Sequence, residues 1–180
     1  MAVNEPVRIL VLCHANVARS VAAAVLLEGA TDERGIAIEL RTAGTHATEG
    51  QPVSARTVTA LQRVAGREVP MGSHRAHQLS DEDVEWADLI VAMEDSQVRF
   101  VRRAFPGASA RVAALSAIST ELPADGRPLA DRVASLGLAE QQGTGTGDVE
   151  DPAGGDDAAY ERAMAVLVDH CDELAWRLSG

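Results

Sequence analysis

Cysteine is scarce: Cys13 and Cys171 are the only two in 180 residues. Two thiols are too few for a disulfide framework or a cysteine-based metal cluster, and they fit a compartment in which thiols stay reduced. Lysine is absent, so all sixteen basic residues are arginine, against twenty-seven acidic ones and a formal charge of −11. That balance argues against nucleic acid and anionic membranes as partners unless a basic patch offsets it. The one cluster, Arg99, Arg102 and Arg103, reads as a solvated helix face. No apolar run approaches the roughly eighteen residues of a membrane span. Around Glu5 and Arg8 there is no signal-peptide core. Aromatic residues make up only 3%, which leaves Ala, Val, Leu and Ile to build the core. These absences predict a cytoplasmic protein folded as one domain over residues 1–180.

The residues that are present alternate between short apolar runs and helical patterns. Val7–Leu12 reads as a buried first strand ending at Cys13, and the Ala, Val and Leu of 20–30 as a helix packed on the sheet. Ile36–Ala43 reads as a second strand with a turn at Gly44. Pro52 and Ser54 open a helix with Val58, Leu61 and Val64 on one face. Leu89–Met93 is a third strand, Glu94–Phe105 a helix stopped by Pro106-Gly107, and Arg111–Leu115 a fourth strand. Pattern weakens over 116–147, where Pro123, Asp125-Gly126 and Gly143-Thr-Gly-Thr-Gly147 signal turns and a flexible excursion around a short helix at 129–138. Asp156 and Asp157 open a last helix whose apolar stripe is Tyr160, Met164, Leu167, Cys171, Leu174 and Leu178. The pattern predicts an α/β fold: a central four-stranded parallel sheet with helices on both faces, and a phosphate-binding loop between strand 1 and helix 1.

The chemistry concentrates in Cys13-His-Ala-Asn-Val-Ala-Arg19-Ser20. Five residues between a cysteine and an arginine let the backbone curl into a nest of inward N–H groups. The helix that follows adds its positive end, so the loop suits a tetrahedral oxyanion held by His14, Ala15, Asn16, Val17, Ala18 and Arg19. The same field favours thiolate over thiol at Cys13. Arg19 can offer two parallel N–H bonds to phosphate oxygens, and Ser20 can donate to the sulfur. Spacing alone leaves open a buried free cysteine of no catalytic consequence.

Cys13–Ser20 resembles the phosphate-binding loop of the low-molecular-weight protein tyrosine phosphatases. Thr42-Ala-Gly-Thr45, His74-Arg75-Ala-His-Gln78-Leu79, Ala87–Met93 and Asp148-Val-Glu-Asp151-Pro152 resemble further landmarks of that family, in order. The resemblance implies that Cys13 is the nucleophile, Arg19 the phosphate clamp, Ser20 the thiolate-stabilising hydroxyl and Asp151 the general acid. It also implies that Asn16, Thr42 and His74 hold the loop in shape, and that no metal or cofactor takes part. Asn tolerates the left-handed backbone such a loop demands.

Several positions depart from the pattern. Ala18 stands where many relatives carry a second cysteine, so an oxidised Cys13 needs another rescue. Ala153 and Gly154 replace the usual pocket tyrosines, and 46–50 lacks a wall aromatic. A mouth without aromatic walls forgoes stacking of about 0.5–1.5 kcal/mol per ring pair. The leading reading is hydrolysis of phosphomonoesters, on protein phosphotyrosine, through a phosphocysteine intermediate; the open mouth also leaves room for a phosphorylated small molecule. Val17 resembles the aliphatic residue of tyrosine-directed relatives, where phosphoarginine-directed ones carry threonine. Arsenate reduction would need extra mid-chain cysteines that this chain lacks. A non-catalytic oxyanion-binding module is the third reading, and the sequence does not decide the oligomeric state.

Overall fold

In the computed structural model the described residues are 5–69, 73–143 and 145–180. The Gly143–Gly147 motif is therefore described apart from Thr144. Four strands, β1 (Val7–Cys13), β2 (Ile38–Gly44), β3 (Leu89–Ala92) and β4 (Val112–Ala114), form one parallel sheet in the order β2-β1-β3-β4. The helices are α1 (Arg19–Glu33), α2 (Ala55–Ala65), α3 (Asp81–Trp86), α4 (Asp95–Ala104), α5 (Leu115–Glu121), α6 (Leu129–Ala134) and α7 (Asp157–Leu178), with a 3-10 turn at Pro106–Arg111.

Both faces of β1 are buried, because successive side chains point to opposite sides of a strand. Ile9, Val11 and Cys13 face α1, α2 and α7, while Leu10 and Leu12 join Val84 of α3 and Val98 and Val101 of α4. Each face thus has its own core, the arrangement that parallel sheets require. All six residues of the expected α7 stripe are buried. Asp156 caps that helix by accepting from the Ala159 N–H at 2.9 Å, a contact worth about 1 kcal/mol.

Two expectations are revised. The buried face of α2 is Thr57, Ala60 and Leu61, and Val64 is 38% exposed. The weak segment contains α5 as well as α6, and it buries Ile118, Leu122, Val133 and Leu138 in the larger core. Its helices are too short to leave a clear period in the sequence. Helix α3 also has a signal, a reciprocal capping box between Ser80 and Asp83, with Asp standing where the commoner motif has Glu.

Candidate active site

β1 ends at Cys13 in the middle of the sheet, and the chain turns there into α1. Ala18, the residue before that helix, supplies no side-chain cap. The first-turn amides, which have no intrahelical acceptor in any helix, are thus not covered by a side chain of the N-cap residue. Cys13 is 3% exposed as a residue, and its sulfur is held in place. The sulfur lies 3.0 Å from Ser20 Oγ and accepts from the Asn16 N–H at 3.3 Å. Because Ser20 Oγ accepts from Asn16 Nδ2 at 2.9 Å, its own hydrogen is free to turn to the sulfur.

Asn16 holds the loop's curvature. It is fully buried and, at φ 56°, it is the only non-glycine residue with positive φ among the described residues. Its Nδ2 donates to Ser20 Oγ at 2.9 Å, its Oδ1 accepts from the His77 N–H at 2.9 Å, and its carbonyl accepts from His74 Nε2 at 2.7 Å. The last contact fixes the proton on Nε2 of His74, since a carbonyl only accepts. Val17 is tied down by the Ser54 N–H, which donates to its carbonyl at 2.8 Å.

Thr42 does not join this network. It pairs with Val11 within the sheet, and its side chain makes no hydrogen bond among the described residues. The end of β2 reaches the loop further on: the Thr45 N–H donates to the Cys13 carbonyl at 3.0 Å and the His46 N–H to the His14 carbonyl at 2.8 Å. Gly44 permits that approach. A Cβ there would lie 2.7 Å from the His14 carbonyl oxygen and 2.9 Å from Ala47 Cβ.

Arg19 is 1% exposed, and both terminal nitrogens of its guanidinium are bonded. Nη1 donates to a Glu94 carboxylate oxygen and, at 2.8 Å, to the Val149 carbonyl; Nη2 donates to Asp151 at 2.6 Å. Glu94 and Val149 were not legible as site residues, because nothing local marks them. Glu94 looks like an ordinary residue at the start of α4.

Asp151 stands on a segment fastened to the sheet end. The Val149 N–H donates to the Met93 carbonyl at 2.9 Å, and Asp148 accepts from the Asp95 N–H at 2.9 Å. Burial, together with the neighbouring Asp95 and Glu94 carboxylates, raises the Asp148 carboxyl above its ordinary range. Asp151 itself is 39% exposed at the side chain, open to a leaving group in a way that Arg19 is not.

The family model for low molecular weight phosphotyrosine protein phosphatase matches residues 8–131. The chain belongs to this family. As a member it is a cysteine-based phosphatase, and its four-stranded parallel sheet is the family's fold. A protein-arginine-phosphatase of Geobacillus stearothermophilus is 30% identical over 174 residues, covering 96% of this chain and 97% of the relative. The solved arginine phosphatase from that organism superposes with a TM-score of 0.72 at 28% identity, covering 94% of this chain and 91% of the other. A low molecular weight protein tyrosine phosphatase from T. tengcongensis gives 0.73 at 26% identity, covering 93% and 97%.

The expectation of a mouth without ring walls needs correction. The His14 and His46 rings stack with centroids 4.7 Å apart, and Phe100 of α4 tilts against His46 at 5.5 Å. These three lie far apart in sequence and meet only because α4 passes beside the end of β2. On the opposite flank, Ala153 and Gly154 are exposed and offer no ring.

Proposed function

We propose that Cys13 attacks the phosphorus of a phosphorylated protein side chain and that Asp151 protonates the departing oxygen. The P–O bond breaks as the S–P bond forms, leaving a phosphocysteine. Water then attacks the same phosphorus, its proton passes to Asp151, and the S–P bond breaks to release inorganic phosphate and the thiolate. Splitting one displacement into two is the use of a covalent nucleophile. Little bonding is left for the protein to supply beyond position and charge. Arg19 and the loop amides, His14 to Ala18 included, hold the equatorial oxygens. Ser20 donates to the sulfur when it leaves, while Asn16 and His74 keep the loop curled. The observation that carries this reading is that Arg19, which closes the loop begun by Cys13, is bonded to Asp151 at 2.6 Å.

The substrate read from Val17 is protein phosphotyrosine, since an aliphatic residue there resembles tyrosine-directed relatives. A second reading is protein phosphoarginine, favoured by the relative of that name, which is matched over nearly its whole length. Activity on p-nitrophenyl phosphate in EDTA with reductant tests the chemistry. It is expected in the wild type and absent in Cys13→Ser; equal activity in Cys13→Ser overturns the mechanism. The ratio of kcat/KM on phosphotyrosine and phosphoarginine peptides of one sequence then decides the substrate.

A further inference from the structure

The stacked rings of His14 and His46, with Phe100 and Arg103, line a cleft of about 630 Å³ that opens beside the Cys13 loop. His14 follows the nucleophile directly, so the cleft begins where a bound phosphoryl group would end. None of the described residues lining it carries a carboxylate, although the chain carries a charge of −11. The acidic groups at the start of α4 point elsewhere. Glu94 is spent on Arg19 and Ser96, and Asp95 accepts from the Gly145 N–H. Arg102, next in sequence, is turned to the Leu138 and Gln141 carbonyls. Arg103 is exposed and makes no ion pair among the described residues. The two flanks of the loop thus differ in sign: carboxylates on the Asp151 side, rings and the Arg103 guanidinium in the cleft on the α4 side.

We propose that this cleft is a subsite for the polypeptide flanking the phosphorylated residue, and that it takes an acidic side chain there. The inference rests on the reading above, that the loop acts on phosphorylated proteins. A carboxylate can pair with Arg103 through two parallel N–H bonds, while the substrate backbone lies along the His14–His46–Phe100 wall. The stack is fixed before binding by the His46 N–H bond to the His14 carbonyl, so little ordering is lost when a peptide arrives. The field of the whole protein repels an acidic peptide, and a preference for one must therefore arise in the cleft.

The test uses two phosphotyrosine peptides, one flanked on both sides by glutamate and one by lysine. Their affinities are measured on Cys13→Ser, alone and combined with Arg103→Glu or Arg99→Glu. The glutamate peptide is expected to bind on the order of tenfold more tightly than the lysine peptide, about what one such pair supplies. Arg103→Glu is expected to reverse that ratio and Arg99→Glu, an equal charge change on an exposed residue of the same helix, to preserve it. Equal affinity for the two peptides, or an equal shift in both variants, overturns the subsite. Wild-type hydrolysis of p-nitrophenyl phosphate is read separately: its absence removes the hydrolytic reading, while the binding ratio still decides the cleft.

Discussion

Nη2 of Arg19 lies 2.6 Å from the Asp151 carboxylate across a separation of 132 residues. The nucleophile loop and the loop of the proposed acid are joined through this one buried guanidinium, whose other nitrogen is held by Glu94 and the Val149 carbonyl. Phosphate oxygens would compete with Asp151 for Nη2 while Nη1 stays anchored. Glu94→Gln is therefore expected to let Arg19 wander, lowering kcat/KM on p-nitrophenyl phosphate by roughly 100-fold, the scale of an ångström of misplacement. Glu94→Asp should recover part of that loss. An unchanged kcat/KM in Glu94→Gln would remove the anchoring role.

Asp151→Asn keeps the shape of the side chain and removes its acidic proton. Its effect should grow with the basicity of the leaving group. On phenyl phosphate kcat is expected to fall by about 10²- to 10⁴-fold, the range of general acid catalysis, and by less on p-nitrophenyl phosphate. Equal losses on the two substrates would mean that Asp151 does not donate to the leaving oxygen.

Gly143 and Gly145 lie against Asp95. The position a Gly143 Cβ would occupy is filled by the Asp95 carboxylate, which also accepts from the Gly145 N–H. The same segment leads through Asp148 and Val149 to Asp151. Asp95→Ala and Gly143→Ala should shift Asp151 without touching Cys13. The expected signature is a loss of about tenfold or more on phenyl phosphate, with a smaller loss on p-nitrophenyl phosphate. Matched losses on both would assign the segment to general stability alone.

The two cysteines should react differently with iodoacetamide. Cys171 is fully buried against the Ala23 carbonyl at 3.5 Å, and burial pushes its thiol up to about 12. In folded protein at pH 8 a single equivalent should be incorporated, at Cys13, and inorganic phosphate should slow it. Mass spectrometry locates the label; modification of Cys171 in folded protein would contradict the packing of α7.

His170 makes stability depend on pH. Burial lowers its pKa below the ordinary value, with Asp169 opposing, and its Nδ1 lies 2.9 Å from Ser119 Oγ. The unfolded chain then binds this proton more readily than the folded one. Its contribution is fully present above the unfolded value, about 6.5, and is lost as pH falls from there through the folded value. Urea unfolding between pH 7.5 and 5 should show His170→Asn with a flatter decline than wild type, and parallel curves would contradict the assignment.

Residues that interact with near neighbours were legible in the sequence. Strands β1 to β4, the long helices, the α7 stripe and the Cys13–Ser20 loop all follow from period, caps and short-range spacing, because each is decided within a few residues. The left-handed Asn16 belongs here too, since Asn accepts that conformation locally. Relationships across the chain were settled only by the fold. Glu94 meets Arg19, Phe100 meets His46, and Gly44 and Thr45, rather than Thr42, touch the loop. In each case parallel strands and crossover helices bring groups from separate elements to the carboxyl end of the sheet. Single-sequence pattern carries no record of such meetings, because the packing that makes them favourable is long-range and leaves local propensity unchanged.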